Sequence, residues 1–158
     1  MIKPNIDDIK LNEPTILDGA KVMDMRQEFL STFCKFNGTC NLDLYEDYIE
    51  WLAYTLNQTH QTEFNNELGA SKNTYLVMVD TTLIGMVEII FYYNYSTNQR
   101  HAHIIECIRP SYRRKGYGKP LLKKVIQECH SFGIKKDNIT YERNSKASSG
   151  TMTKILDF

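Results

Sequence analysis

Six residues, Arg113-Arg114-Lys115-Gly116-Tyr117-Gly118, constrain this chain more than any other stretch. They stand between a strand-like apolar run, Ile104 to Ile108, and a helix-like run, Leu121 to Cys129. Two glycines two apart, behind three consecutive cations, at a strand-to-helix turn make an anion cradle. Glycine lets the backbone approach a ligand closely. A helix start leaves about four N–H groups unpaired and carries roughly half a positive charge. Such donors suit a phosphate or pyrophosphate, so the chain is expected to handle a phosphorylated ligand.

The elements around the cradle follow from periodicity. A first strand is predicted near Ile9 to Leu11. Asp18 can cap a helix through about Phe33 that carries Val22, Met25, Phe29 and Phe33 on one face. Asp43 can cap a second, through about Leu56, that carries Leu44, Tyr48 and Leu52. The polar stretch 57–73 reads as a long loop. Three strands in a meander come next: Thr74 to Val79, Leu83 to Tyr93 with Gly85 suggesting a bulge, and His101 to Ile108. Beyond the cradle a helix spans Lys119 to Ser131, with Pro120 tolerated in its first turn and Gly133 as its stop. A strand at Ile139 to Glu142 and a last helix from about Ala147 to Leu156 complete the order. Strand–helix–strand at the end implies a parallel pair joined by a right-handed crossover. The expected class is α/β: one domain over 1–158, with a mixed central sheet (antiparallel meander plus a parallel pair) covered by helices.

Composition narrows the function. Lys plus Arg is 19 and Asp plus Glu is 19, and zero net charge argues against a bulk nucleic-acid binder. Cys34, Cys40, Cys107 and Cys129 form no CxxC pair, and the four histidines fall in no zinc spacing, so no metal is expected. The cysteines read as reduced thiols of a cytoplasmic protein. The start lacks the apolar core of a signal peptide, and no run approaches a membrane span.

The cradle is not a P-loop, because it lacks the GxxxxGK[ST] spacing. It is a poor dinucleotide fingerprint too, since Leu121 stands where a third glycine belongs. A tight turn with solvated basic side chains is the plain alternative. At these residues the chain resembles the GNAT superfamily of N-acetyltransferases, whose signature is [Gln/Arg]-x-x-Gly-x-[Gly/Ala] between a long strand and a helix. Here it reads Arg113-x-x-Gly116-x-Gly118, preceded by Ile108-Arg109-Pro110-Ser111-Tyr112 and followed by Leu121-Leu122. The wider run His103 to Leu122 looks like a branch of predicted acetyltransferases within it.

The resemblance implies an acetyl-CoA co-substrate. Backbone N–H groups of Arg113, Arg114, Lys115, Gly116, Tyr117, Gly118 and Lys119 would bind its pyrophosphate, with Pro120 unable to donate. The main chain of Ile108 would pair with the pantetheine arm, and the strands either side of the cradle would splay to admit it. The side chains of Arg113, Arg114 and Lys115 could also meet the ribose phosphate. Asn144 could contact the cofactor or cap the last helix. Family members normally continue into one or two more strands, and those are expected to be missing here. The open sheet edge would then invite pairing, for instance as a homodimer.

Acetyl transfer to an amine needs a base near the operating pH. On the strand before the cradle one face reads Ala102, Ile104, Glu106, Ile108. Burial of Glu106 there would raise its pKa as a base requires, unless the face is solvated. The other face carries His103, which titrates in the useful range but could be structural. Glu88 is a further candidate base, and Tyr141 could be the acid at the leaving thiolate, since the Tyr many members carry in the last helix is absent. Trp51 and Tyr54 are core residues or line an acceptor cleft. The expected function is transfer from acetyl-CoA to a small-molecule or peptide amine in a ternary complex, with no nucleic-acid or membrane partner. The alternative is a catalytically silent acyl-CoA-binding module.

Overall fold

In a computed structural model the described residues are 3–60, 70–146 and 150–155. Six strands form one sheet in the order β1 (Ile9–Asn12), β2 (Ala70–Val79), β3 (Thr82–Asn94), β4 (Gln99–Ile108), β5 (Ile139–Lys146), β6 (Gly150–Ile155). Every neighbouring pair is antiparallel except β4–β5, the parallel pair joined through α3 (Gly118–Ser131). The other helices, α1 (Gly19–Ser31) and α2 (Tyr48–His60), lie between β1 and β2 in the chain.

The sheet separates two apolar cores. On one face α3 lays Leu121, Leu122, Val125, Ile126 and Cys129 over Val87, Ile89, Ile104 and Ile139. On the other, Val22, Met25 and Phe29 of α1 and Trp51 and Leu52 of α2 pack on Leu76, Met86 and Cys107. Strand β3 is buried almost throughout because both faces are covered, and its sequence is accordingly a continuous apolar run.

Gly85 marks a bulge, as expected. Val77 pairs with Gly85 and Met78 with Leu83, which leaves Ile84 as the extra residue. A Cβ at Gly85 would lie 2.2 Å from the Cys107 carbonyl oxygen, so only glycine lets β3 and β4 approach this closely. The freed Ile84 carbonyl accepts the Arg109 N–H at 2.8 Å, which carries the pairing one step past the end of β4.

Three local expectations need correction. Asp18 does not cap α1; its carboxylate turns back to accept the Thr15 N–H at 2.8 Å and closes a short 3-10 turn ahead of the helix. Asp43 does not start α2. Cys40 and Asn41 are left-handed (φ 53° and 60°), which breaks the chain, and Asp47 caps the helix through the Ile49 N–H at 2.8 Å. The last helix expected over 147–156 is overturned for 150–155, where β6 pairs antiparallel with β5; residues 147–149 and 156–158 lie outside the described set. Gly150 and the β-branched Thr151, Thr153 and Ile155 favour strand over helix there, and the segment covers the hydrogen-bonding edge of β5 that was expected to stand open. Residues 61–69 of the expected loop also lie outside the described residues.

Candidate active site

The cradle opens where β4 ends. Arg109 to Tyr112 make a tight turn, Arg114 and Gly116 take left-handed conformations (φ 59° and 88°), and α3 begins at Gly118. Tyr117, ahead of the helix, makes no side-chain cap bond, so the helix start is left without a capping side chain of its own. The chain before the cradle is fixed by α1. Arg109 donates to Asp24 at 2.8 Å, to Glu28 at 3.1 Å and to the Leu83 carbonyl at 3.2 Å. Ser111 donates to Glu28 through both its N–H and its hydroxyl. Burial alone would push the Glu28 carboxyl up, but the bonds from Ser111 and Arg109 outweigh it and hold the pKa below the usual value.

The expected splay of β4 from β5 is confined to the last residue of β4. The pair is continuous from Ala102–Ile139 to Cys107–Asn144, and Ile108, at the cradle end of β4, has no β5 partner. Arg143 closes the two strands together: its Nε donates to Glu106 Oε2 at 2.9 Å, and its Nη2 donates to the Gly118 carbonyl at 3.0 Å. Sequence reading missed Arg143, because only the β4–β5 register places it opposite Glu106.

Glu106 is completely buried, on the α3 face. Burial pushes its carboxyl up to about 7, with Arg143 opposing that rise. Among the described residues its Oε1 has no hydrogen-bond partner, and neither does the buried Nη2 of Arg113, whose Nε donates to the Ile108 carbonyl at 2.8 Å. An orphaned acceptor and an orphaned cationic donor at one strand end, beside an uncapped helix start, suit a ligand that is anionic at one end and carries amide or amine groups at the other.

Tyr141 shares this face, nearly buried, with the Arg143 guanidinium 5.8 Å from its ring centre. His103 lies on the opposite face, as alternation along β4 requires. Its Nδ1 is 2.6 Å from Thr140 Oγ1 and its Nε2 is 3.5 Å from Glu142 Oε1. The structure thus brings Glu106 and Tyr141 together and sets His103 apart. Asn144 is in β5 rather than at a helix start, opposite Cys107.

On the His103 face a cavity of about 310 Å³ opens beside the loop between α1 and α2. Asn37, Asn41, Asp43, Lys72, Glu88 and Ile105 line it. Glu88 is almost buried and pairs with Lys72 at 3.4 Å. Trp51 belongs to the core, its indole N–H donating to the Thr39 and Cys40 carbonyls, whereas Tyr54 is half-buried and accepts from Asn41. Among the described residues no group of His, Cys, Asp or Glu could hold a metal ion, no helix is long and apolar enough to cross a membrane, and the four cysteines form no disulfide with one another.

The family model of the GNAT acetyltransferases matches residues 41–149, which is most of the chain and includes the whole cradle. This chain belongs to the GNAT acetyltransferase family. Its GNAT fold is shared by solved structures of low identity. A GNAT family acetyltransferase of Staphylococcus aureus is 18% identical, with 96% of each chain covered and a TM-score of 0.55. An aminoglycoside acetyltransferase from an uncultured soil metagenomic sample, solved with sisomicin, is 14% identical, covering 89% of this chain and 79% of that one at a TM-score of 0.54. A ribosomal-protein-alanine N-acetyltransferase of Brucella melitensis is 15% identical, covering 90% and 84% at a TM-score of 0.50. No curated protein sequence matches the chain at a significant level. As a GNAT member the protein is an acyltransferase, and acetyl-CoA is its donor co-substrate.

Proposed function

We infer that this GNAT enzyme transfers the acetyl group to the neutral form of an amine by direct attack within a ternary complex, with Glu106 as the general base. The observation that carries the reading is the buried, half-paired Glu106 carboxyl beside the cradle. It lies two residues from Ile108 on the same face, which along a strand is about 7 Å. In that arrangement the Arg113–Lys119 backbone and the start of α3 hold the pyrophosphate, and the main chain of Ile108 holds the pantetheine arm. Acetyl-CoA supplies the activated thioester. The acceptor nitrogen bonds to the acetyl carbon, the carbon–sulfur bond breaks, and the amine proton passes to Glu106 Oε1. Tyr141, on the same face, returns a proton to the sulfur.

Acetyl transfer to a panel of polyamines, aminoglycosides and peptide amines tests this, with Glu106→Gln and Glu88→Gln compared. The expected result is a loss of kcat of about 10²–10⁴ in Glu106→Gln, with Glu88→Gln, across the sheet from it, keeping its turnover. Undiminished turnover in Glu106→Gln, or no turnover of any amine by the wild type, would reject the assignment.

A further inference from the structure

One guanidinium holds three parts of the site together. Nε and Nη2 of Arg143 both lie 2.9 Å from Glu106 Oε2, and Nη2 also donates to the Gly118 carbonyl at 3.0 Å. The guanidinium carbon stands 5.8 Å from the centre of the Tyr141 ring. Register sets this up, because Glu106 and Arg143 are paired positions of the parallel β4–β5 ladder and Tyr141 is two residues back on the same face.

The contact is lopsided. An arginine that faces a carboxylate squarely engages both oxygens in parallel. Here both nitrogens converge on Oε2, and Oε1 keeps no hydrogen-bond partner among the described residues. The Gly118 carbonyl accounts for the offset. It draws Nη2 toward the first residue of α3, so the fork spans the carboxyl and the helix start. A lysine carries a single point of charge and could not hold both acceptors in one plane.

Charge ties this contact to the proton. Glu106 is completely buried, and an ionised carboxylate there needs a cation. The Arg143 side chain is 31% exposed, so it reaches the carboxyl while staying partly solvated. The other titratable groups on this face do not compete. Burial pushes Tyr75 and Cys129 up to about 12, so both stay neutral, and Glu128 accepts from the Tyr75 hydroxyl. Tyr141 lies beneath Arg143 itself. Arg113 adds a cation at the end of β4, with its Nε turned to the Ile108 carbonyl. From β3 the paired residue is Val87, which is apolar. Arg143 is thus the charge set against the burial of Glu106.

We propose that Arg143 is a positioning residue of the transfer, which holds the carboxyl by Oε2, presents Oε1 as the oxygen that takes the amine proton, and keeps the base ionised at a pH where an unpaired buried carboxyl would stay protonated. The proposal rests on Glu106 being the base.

Two readouts test it in the full chain, for the wild type, Arg143→Met and Arg143→Lys, with thermal melts to establish folding. The first is a pH titration followed by nuclear magnetic resonance of carboxyl-labelled glutamate, the Glu106 signal being the one lost in Glu106→Gln. The second is the pH profile of kcat with acetyl-CoA and the amine of the panel that the wild type turns over fastest. In Arg143→Met the Glu106 midpoint should rise by about one to three pH units, the usual worth of a neighbouring cation, and the acid limb of kcat should move with it. Arg143→Lys should recover most of the midpoint, since the charge is kept. Its kcat plateau should stay roughly 10- to 100-fold low, because the fork that aims Oε1 is gone. A midpoint unmoved in Arg143→Met, or a wild-type plateau in Arg143→Lys, would overturn the positioning role and leave Glu106 as the base. A midpoint that moves while the kcat limb stays would separate the pair from the chemistry and overturn it too. Failure of the base itself shows differently, as undiminished turnover in Glu106→Gln.

Discussion

At the scale of single residues the site rests on a carboxyl that burial keeps hard to ionise. Glu106 titrates near 7 in the folded chain and near 4.5 once unfolded. Between those values the folded protein holds a proton that the unfolded chain has released, so stability is full below about pH 4.5 and is lost as pH rises through 7. The loss amounts to a few kcal/mol, because each pH unit separating the two values is worth about 1.4 kcal/mol. Thermal melts from pH 5 to 8 should therefore show a falling midpoint in the wild type and a flatter profile in Glu106→Gln. An unchanged slope in the variant would place the titration elsewhere. The alternation along β4 already put Glu106 and His103 on opposite faces in the sequence. Arg143 was not legible, because its meaning depends on which β5 residue stands opposite Glu106.

Among the elements, the β3–β4 contact is the most exacting. Gly85 sits where a Cβ would collide with the Cys107 backbone, one residue from the end of β4. Gly85→Ala should cost at least about 2 kcal/mol in urea unfolding, since backbone rather than a flexible side chain must give way. A cost near zero would mean that the bulge relaxes freely. The glycine was readable as a bulge because it interrupts a β-branched and aromatic run. The helix starts were misread for the opposite reason: Asp18 and Asp43 are good caps in isolation, but Asp18 is taken by Thr15 and Asp43 follows a left-handed break at Cys40 and Asn41. By contrast 150–155 becomes strand with its own composition in favour, since Thr151, Thr153 and Ile155 are β-branched, and β5 offers the partner edge.

Across the whole molecule, the sheet sorts the chemistry by face. Glu106, Arg143 and Tyr141 lie on the α3 face, and Glu88, His103 and the acidic cavity lie on the face toward α1 and α2. The Arg109–Glu28–Ser111 contacts tie α1 to the start of the cradle. The class and the cradle were legible because glycine spacing and strand-to-helix order are local; the pairing of faces is not. The central claim is that the cradle binds the donor, and titration calorimetry of the purified chain with acetyl-CoA tests it most directly, alongside Gly118→Trp. A Cβ at Gly118 would already lie 2.9 Å from the Arg143 guanidinium, so the larger side chain fills the helix start, and a thermal melt establishes that the variant folds. Saturable binding to the wild type, abolished in Gly118→Trp, is the predicted result; no binding by the folded wild type, or equal binding by both, would contradict it.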